Sequence, residues 1–416
     1  MPNRIITPTK VLREALRVLH NNTAFVRGVD RQYSKEFAIP GAKIGNSINV
    51  RVPNRYYVSR QTALQSQDTQ ESTVPVTLTT NYQIGLNFTA QDLLLSLDDF
   101  SKRIITPAMA AMSSAMDYDG LGLYKYLFNQ VGTPGTAPGA MGGTAGTMTD
   151  SSAPRIFANA GAMLDLMSCP KDTNRWIILE PLTQASAISG LAGLLNPAPE
   201  LNQQYRTGEV KNGLGFHFDM DQNVNCLVAG VRTATNAQVA SAGQTGSSIV
   251  TNGWSANAVL NVGEIITFAL TYSVNPENQQ TTRLLANFVV TATTTADASG
   301  NMTIPIYPAI VPAGAQIANG TVVASPAMGA AVSLLSGANS LVSPQNMAYH
   351  SDCFTLATAD KQLPGGVDFA ARENYEGISM TLIRQYDINT DQYPCRLDVL
   401  AGWACLRPEL GVRIVA

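Results

Sequence analysis

Residues 96–130 contain the helical pattern on which the fold prediction depends, and they read SLDDFSKRIITPAMAAMSSAMDYDGLGLYKYLFNQ. Thr106 is a good N-cap residue, and Pro107 falls at the first helical position, where proline is tolerated. Apolar side chains then recur at roughly helical spacing, at Met109, Met112, Met116, Leu123 and Leu127. The pattern predicts a helix over residues 107–128, about 33 Å long at 1.5 Å per residue.

Two glycines, Gly120 and Gly122, weaken the middle of this helix by about 1 kcal/mol each relative to alanine. One interpretation is a domain spine with a hinge at the glycines, where the flanking Asp117 and Asp119 admit water to the freed backbone groups. The alternative is an ordinary core helix whose glycines let another segment pack closely.

Composition bounds the size and class of the protein. At 416 residues the chain is too long for one core, which predicts two or three domains. Only 14% of residues are charged, whereas about 25% is usual. Because interface cores are depleted in charge, we expect much of the surface to lie against copies of the same chain. The net charge of −3 argues against a dedicated nucleic-acid binder.

The sequence shows no pattern typical of catalysis, cofactor binding, metal binding or a membrane. No C-x-x-C pair, metal-spaced histidine, P-loop or G-x-S-x-G occurs, no apolar run reaches 18 residues, and residues 1–10 lack the apolar core of a signal peptide. The aspartates near the C-terminus lack a histidine or a nucleophile beside them. We interpret this group as an ion-pair cluster, formed by Arg384, Asp387, Asp391, Arg396 and Asp398, with Arg407 as a further partner.

The N-terminal 40 residues are predicted to form an arm that contains an amphipathic helix. Its apolar face holds Val11, Leu12, Ala15, Leu16 and Leu19, and the other face holds Lys10, Arg13 and Arg17. Seven basic residues against two acidic ones give residues 1–35 a charge of +5. Either this is a solvated face, or Lys10, Arg13 and Arg17 are assembly contacts for an acidic partner or a neighbouring subunit.

The next two segments alternate apolar and polar residues, which predicts strands over 44–58 and 73–88 joined by a polar, Gln-rich tip. An isolated two-stranded hairpin is marginal in water, so we expect it to lie on another surface. Helices and short strands follow, as in a mixed α/β domain.

Residues 226–340 contain only five charged residues, namely Arg232, Glu264, Glu277, Arg283 and Asp297. Strand-like runs at 265–271, 284–291, 302–307 and 313–323 predict an all-β insertion. From residue 345 the α/β mixture returns, with strands predicted at 377–386, 396–405 and 410–415.

This order resembles the tailed-phage capsid fold, the Hong Kong 97 fold. Residues 352–358 (DCFTLAT), 363–372 (LPGGVDFAAR) and 384–391 (RQYDINTD), with 262–268 (VGEIITF) in the insertion, look like the gene-product-5 coat protein family of short-tailed Salmonella-type phages. The resemblance is strong over 346–416, moderate over 80–225 and weak in the arm and much of the insertion.

The resemblance implies an α+β fold with five parts. These are an N-terminal arm (1–40), an extended hairpin or E-loop (41–95), a peripheral domain with the spine helix (96–150 and 386–416), an axial domain (151–225 and 346–385) and an inserted barrel-like β domain (226–345). Some relatives crosslink this hairpin through a lysine, but residues 44–101 contain no lysine.

The resemblance also implies a function. Copies of the chain would form the pentamers and hexamers of an icosahedral shell in the virion, around double-stranded DNA that is bound without sequence specificity. The implied partners are a scaffolding protein, a portal protein and any decoration proteins, with assembly in the host bacterial cytoplasm. Two alternatives remain at this point: an encapsulin-type cellular compartment, which the insertion argues against, and a hydrolase that uses the C-terminal aspartates.

Overall fold

A computed structural model describes residues 8–34, 47–58, 62–64, 66–67, 72–88, 101–139, 148–191, 212–232, 236–314, 318–388 and 392–416. The α-helices in these residues are α1 (Pro8–Asn22), α2 (Thr106–Leu121), α3 (Ala153–Leu166) and α4 (Pro181–Leu191). Short 3-10 turns lie at Val26–Gly28, Gly122–Tyr126, Ser351–Cys353 and Pro408–Leu410, and a π-helical turn lies at Ser101–Ile105.

The strands are numbered in chain order. The first nine are β1 (Asp30–Ser34), β2 (Ser47–Val52), β3 (Ser72–Thr77), β4 (Thr80–Phe88), β5 (Asn129–Val131), β6 (Arg175–Leu179), β7 (Asn212–Gly213), β8 (Phe216–Met220) and β9 (Cys226–Val228). The next eight are β10 (Gln238–Val239), β11 (Gly246–Asn252), β12 (Val259–Leu260), β13 (Ile265–Val274), β14 (Thr281–Val290), β15 (Thr294–Thr295), β16 (Met302–Ile310) and β17 (Val332–Leu334). The last six are β18 (Val342–His350), β19 (Phe354–Ala359), β20 (Phe369–Tyr375), β21 (Ile378–Arg384), β22 (Tyr393–Cys405) and β23 (Gly411–Val415). The predicted α+β class is confirmed.

The chain divides into two compact units. Unit 1 comprises Met1–Val52, Thr73–Leu121 and Phe354–Leu406, and unit 2 comprises Pro53–Ser72, Gly122–Cys353 and Arg407–Ala416. Among the described residues, no helix is both long enough and apolar enough to cross a membrane.

Unit 1 is built on a sheet with the strand order β1-β19-β22-β21-β20, and β4 joins it by pairing with β22. Helices α1 and α2 pack against each other, and α1 also packs on β20 and β21. Leu12, Leu16 and Leu19 of α1 and Met109 and Met116 of α2 are buried. The core of this unit therefore contains the predicted stripe of α1 and the methionines of the predicted spine, whereas Leu123 and Leu127 belong to unit 2.

The predicted spine helix exists, but two of its details are wrong. The chain is already helical over Ser101–Ile105, so Thr106 lies inside a continuous helical segment and does not cap it. The α-helix ends at Leu121 and tightens into a 3-10 turn from Gly122. The low helix propensity of the two glycines accounts for this early end.

The hairpin prediction is right for the first part of its second strand and wrong for the remainder. β2 pairs with β3, as expected for a hairpin. The predicted strand over 73–88, however, splits after Thr77, and β4 pairs with β22 from Thr80 opposite Ala401 to Phe88 opposite Tyr393. Much of the predicted tip, including residues 59–61 and 68–71, lies outside the described residues.

The base of the hairpin rests on its own unit. Val76 and Leu78 are buried against Ala357 and Ala359 of β19, and Ile48, Val50, Leu400 and Ala404 pack around them. The end of β3 passes close to Gly402 of β22. Only glycine fits there, because an added Cβ would clash with the carbonyl oxygen of Thr77.

Unit 2 contains a seven-stranded sheet with the order β5-β23-β18-β6-β8-β7, and β9 pairs with β18. Helix α3 packs on β23 and α4. The core side of α3 buries Ile156, Phe157, Ala160, Met163 and Leu164, which recur at helical spacing.

The insertion in unit 2 is a closed β-barrel. Its strands run in the order β10-β11-β16-β14-β13-β17. Backbone hydrogen bonds from Val332 to Ala237 (2.9 Å) and from Val239 to Ala330 (3.0 Å) then join the last strand to the first. Closure removes the exposed sheet edges that would otherwise pair with other chains. The barrel encloses an apolar core that includes Ile249, Phe268, Phe288, Ile304 and Ile306.

Three of the four strand predictions in the insertion are confirmed, by β13, β14 and β16. The fourth, over residues 313–323, is wrong. Val322 makes only isolated bridges there, with Pro312 and with Ser273, among the residues that the structure describes. Pro312, Gly314 and Gly320 account for the loss, because proline and glycine both weaken strand pairing.

Candidate assembly surface

Helix α1 uses its apolar face inside unit 1, which leaves its charged face outward. Leu12, Ala15 and Leu19 are fully buried, whereas Lys10, Arg13 and Arg17 are exposed. The helical period of 3.6 residues separates these two sets onto opposite faces. The apolar stripe is therefore not a docking surface, whereas the three cations are exposed and available for a contact with another chain.

The two arginines of α1 already have carboxylate neighbours. Arg13 Nη2 lies 3.2 Å from Glu373 Oε1 of β20, and Arg17 Nη2 lies 2.7 Å from Glu14 Oε1 one turn earlier. Both arginine side chains are largely exposed, at 71% and 59%. Exposed pairs of this kind contribute about 0–1 kcal/mol, so they can be exchanged for another carboxylate at little cost.

The end of α1 is held on the turn between β20 and β21. His20 Nε2 lies 2.6 Å from Glu376 Oε2, and the His20 ring meets Tyr375 edge-on at 5.5 Å. Arg31 donates to the Glu376 backbone carbonyl at 3.0 Å. These contacts position α1, and with it the cationic face, against unit 1.

The two glycines that the sequence singled out have different surroundings. An added Cβ at Gly120 would lie 2.6 Å from Phe25 Cδ1 and 2.8 Å from Trp403 Cη2, so no methyl group fits there. At Gly122 the nearest atom to such a Cβ is Asn225 Nδ2, at 3.9 Å. The surroundings of Gly120 therefore favour close packing, which is the alternative considered above, whereas the space around Gly122 is compatible with the hinge interpretation.

Asp117 is also placed differently from the sequence-based interpretation. Its side chain is buried and accepts hydrogen bonds from the backbone N–H groups of Ala24 (3.0 Å) and Val26 (3.1 Å). It therefore anchors the turn after α1 and does not admit water to the helix. Asp119 accepts a 2.8 Å hydrogen bond from the hydroxyl of Tyr82. Burial and this hydrogen bond raise the pKa of Tyr82.

The residues of the proposed C-terminal ion-pair cluster are only partly brought together. The buried Asp398 carboxylate lies 2.7 Å from Arg396 and 3.2 Å from Lys361. Arg384 instead stacks over the ring of Tyr393 at 5.4 Å. Arg407 pairs with Glu409, at 3.1 Å.

Asp387 and Asp391 complete the group that the sequence predicted. The backbone of Asp387 pairs with Gln392, and Asp391 lies outside the described residues. Within the described part of the chain, no three His, Cys, Asp or Glu side chains lie close enough together to hold a metal ion.

Sequence reasoning missed a buried ion pair at the base of the barrel. Arg232 Nη1 lies 2.7 Å from Glu264 Oε2, and the two side chains are 5% and 0% exposed. The Glu264 carboxylate also accepts hydrogen bonds from Gly230 N, Asn261 N and Ser336 Oγ. The pair therefore joins three segments where the chain enters and leaves the barrel. The sequence does give one indication of this pair: residues 226–340 contain only five charged residues, and Arg232 and Glu264 are two of opposite sign.

A second buried cation, Arg413 of β23, supports the same region. Its Nη1 donates to the carbonyl of Gly263, and its guanidinium lies 5.2 Å from the centre of the Tyr124 ring. Burial lowers the pKa of Arg413 to about 9. The loop over residues 261–264 is thus held both from within the barrel and from the main sheet of unit 2.

Comparison with known proteins identifies one family that matches the second half of the chain. A sequence model of the family described as "P22 coat protein - gene protein 5" matches residues 200–416, which are 217 of the 416 residues. No curated protein matches this chain at a significant level.

Solved structures that are similar to this chain match it at low identity. A structure of Mycobacterium phage Che8 is 12% identical, covering 94% of this chain and 90% of that chain, with a TM-score of 0.44. The mature capsid of bacteriophage PhiM1 is 10% identical, covering 94% and 86%, with a TM-score of 0.42. A virus-like particle from Pyrococcus furiosus is 8% identical, covering 97% and 96%, with a TM-score of 0.35. Because these scores lie below 0.5, the family match carries the assignment.

Proposed function

Since the chain belongs to the P22 coat protein family, we propose that it is the major capsid protein of a tailed phage, and that copies of it close into an icosahedral shell of pentamers and hexamers around double-stranded DNA. The family match over residues 200–416 is the observation that carries this proposal. It favours a phage coat over an encapsulin-type compartment or a hydrolase. In this role the chain is a structural protein of the virion.

The surface of the hairpin supports a role in assembly. Beyond the base that packs on unit 1, the described residues Tyr56, Val58 and Leu64 are 54%, 87% and 94% exposed. Apolar side chains exposed this far gain stability when a second chain covers them, at about 25 cal/mol per Å². A neighbouring copy of the coat protein is the covering surface in this proposal.

The cationic face of α1 supports a role in partner recruitment. Lys10, Arg13 and Arg17 form an exposed basic strip on a chain whose net charge is −3. An acidic segment of a scaffolding protein or of a neighbouring coat subunit fits this strip. A portal protein at one vertex, decoration proteins and assembly in the host bacterial cytoplasm complete the proposal.

Electron microscopy tests the proposal directly. The chain is expressed in bacteria alone and together with its scaffolding gene, and the particles are purified and imaged. We expect closed shells of uniform diameter when both proteins are present, and irregular or open shells when the coat protein is alone. Monomers in both samples, with no shells of any form, would contradict the assignment.

A further inference from the structure

Unit 2 contains a cavity of about 300 Å³ at the side of the barrel. Strands β14 and β16 form one wall, and the residues around β5 and the end of α3 form the other. This volume is at the lower end of the range for sites that bind small molecules. Such sites often lie where two structural modules meet. The proposed role in the capsid makes no use of this cavity.

The walls are largely apolar and aromatic. Phe288 is fully buried, Met163 and Met167 are 4% and 5% exposed, and Phe128 and Tyr307 lie with ring centres 6.1 Å apart. Tyr307 is 39% exposed, which places it at the mouth. Aromatic rings and thioether sulfurs both favour contact with a flat aromatic ligand.

One polar group in the wall lacks a partner. The side-chain nitrogen of Asn129 is buried and donates to no acceptor among the residues that the structure describes. The residue itself is only 2% exposed. A buried donor without an acceptor costs free energy. A bound molecule that offers an acceptor to the Asn129 side-chain nitrogen would offset this cost.

The charges at the cavity cancel. Arg55 Nη2 lies 2.7 Å from Glu409 Oε1, and both residues contribute to the lining. A charged ligand would therefore meet a carboxylate as well as a guanidinium and would gain no net attraction. From the aromatic walls, the orphan donor and this neutral ion pair, we propose that the cavity binds a small uncharged aromatic molecule whose carbonyl oxygen accepts a hydrogen bond from Asn129.

Fluorine NMR with three probes tests the ligand class on the full wild-type chain. The probes are 1-(4-fluorophenyl)ethanone, 1-ethyl-4-fluorobenzene, which lacks the carbonyl, and 4-fluorobenzoate, which is charged. We expect saturable binding of the ketone with a Kd of roughly 0.1–5 mM, in line with the affinity of about ten non-hydrogen atoms. The ethyl analogue should bind about threefold to tenfold more weakly, because it cannot accept the hydrogen bond. Equal binding of ketone and ethyl analogue, tightest binding of benzoate, or no saturable binding would each overturn the proposal; the first result would mean that water alone satisfies Asn129.

A variant places the ligand in this cavity. Asn129→Leu keeps a similar side-chain volume but removes the donor, so it should abolish the preference for the ketone over the ethyl analogue. Asn174→Leu, at an exposed site away from the cavity lining, is the matched control and should leave the preference unchanged. A ketone preference that survives Asn129→Leu in a folded chain would show that the ligand binds elsewhere. If Asn129→Leu does not fold, Ala309→Met, which narrows the cavity, should weaken all binding at least threefold, and unchanged binding would reject the site.

Discussion

At Gly120, helix α2 passes so close to Phe25 and Trp403 that a methyl group would lie 2.6 Å from the phenylalanine ring. Gly122 lies only two residues later, in the 3-10 turn that begins unit 2, and has open space around it. Two glycines with the same appearance in the sequence therefore serve different purposes. Gly120 is required by packing, and the proposal of a hinge rests on Gly122.

Single alanine variants separate these roles. We expect Gly120→Ala to lower the free energy of unfolding by about 1–3 kcal/mol, because the added methyl overpacks a core. Gly122→Ala should instead raise it by up to about 1 kcal/mol through helix propensity. Urea unfolding of the monomer measures both effects.

The same variants test the hinge in the particle. If residues around Gly122 bend when the precursor shell expands, Gly122→Ala should slow expansion, as followed by particle diameter after heating. Expansion at the wild-type rate in a stabilised Gly122→Ala shell would reject the hinge.

At the scale of the element, helix α1 combines a buried stripe with an exposed basic strip. Arg13→Glu combined with Arg17→Glu should reduce the yield of closed shells severalfold while the monomer stays folded, because the net charge of the three strip residues changes by about four units, from positive to negative. Counting particles after assembly with the scaffolding protein measures the loss.

A matched control for this helix comes from the partner residue. Glu373→Gln breaks the same exposed contact with Arg13 but leaves the arginine charge in place. It should assemble normally. Equal losses of shell yield in the Glu373→Gln variant and in the double arginine variant would mean that the intramolecular contact matters and that the strip recruits no partner.

The base of the hairpin is buried, whereas the described residues nearer its tip are exposed. Its base is protected in the chain itself, since Val76 is fully buried and Leu78 is 6% exposed. The base of the hairpin therefore needs no neighbouring subunit to bury these two residues. Tyr56 and Val58 remain open to such a contact.

Hydrogen exchange measured by mass spectrometry distinguishes the two parts of the hairpin. Peptides over residues 73–78 should exchange slowly in both monomer and shell, whereas peptides over 53–58 should slow at least tenfold on assembly. Fast exchange of residues 53–58 in intact shells would show that no neighbouring copy covers the hairpin.

At the scale of the whole molecule, the insertion has what an independent folding unit requires. It has a closed set of strands, a core of its own and an internal ion pair at its base. Residues 226–340 expressed alone should therefore give a dispersed NMR spectrum of the β type. A spectrum with the narrow amide dispersion of an unfolded chain would contradict independent folding without affecting the coat assignment.

The buried pair of Arg232 and Glu264 is expected to be essential to this unit. Glu264→Leu leaves the guanidinium buried without its carboxylate and should cost about 3–5 kcal/mol of unfolding free energy. The double variant Arg232→Met with Glu264→Leu should cost less, because no charge is then left unpaired. Thermal melting of the isolated insertion measures the two costs, and a double variant less stable than the single one would refute this account.

Local patterns in the sequence are sufficient to predict several of the helices and strands. Met109, Met112 and Met116 are spaced so that a helix buries them together, and the β-branched and aromatic residues over 265–271 favour a strand. The motifs near the C-terminus were enough to indicate the coat protein family, which the match over residues 200–416 then showed.

Contacts between residues far apart in the chain could be identified only from the three-dimensional fold. β4 pairs with β22 and not with β2, because β22 provides a longer pairing partner. Gly402 of β22 leaves room for the end of β3 to pass close to that strand. Gly120 faces Phe25, about a hundred positions earlier, and Arg232 meets Glu264 across the barrel base. Such pairings depend on packing between segments far apart in the chain, where close approach, burial and the need to satisfy each polar group select the partner, and local periodicity carries no record of that selection.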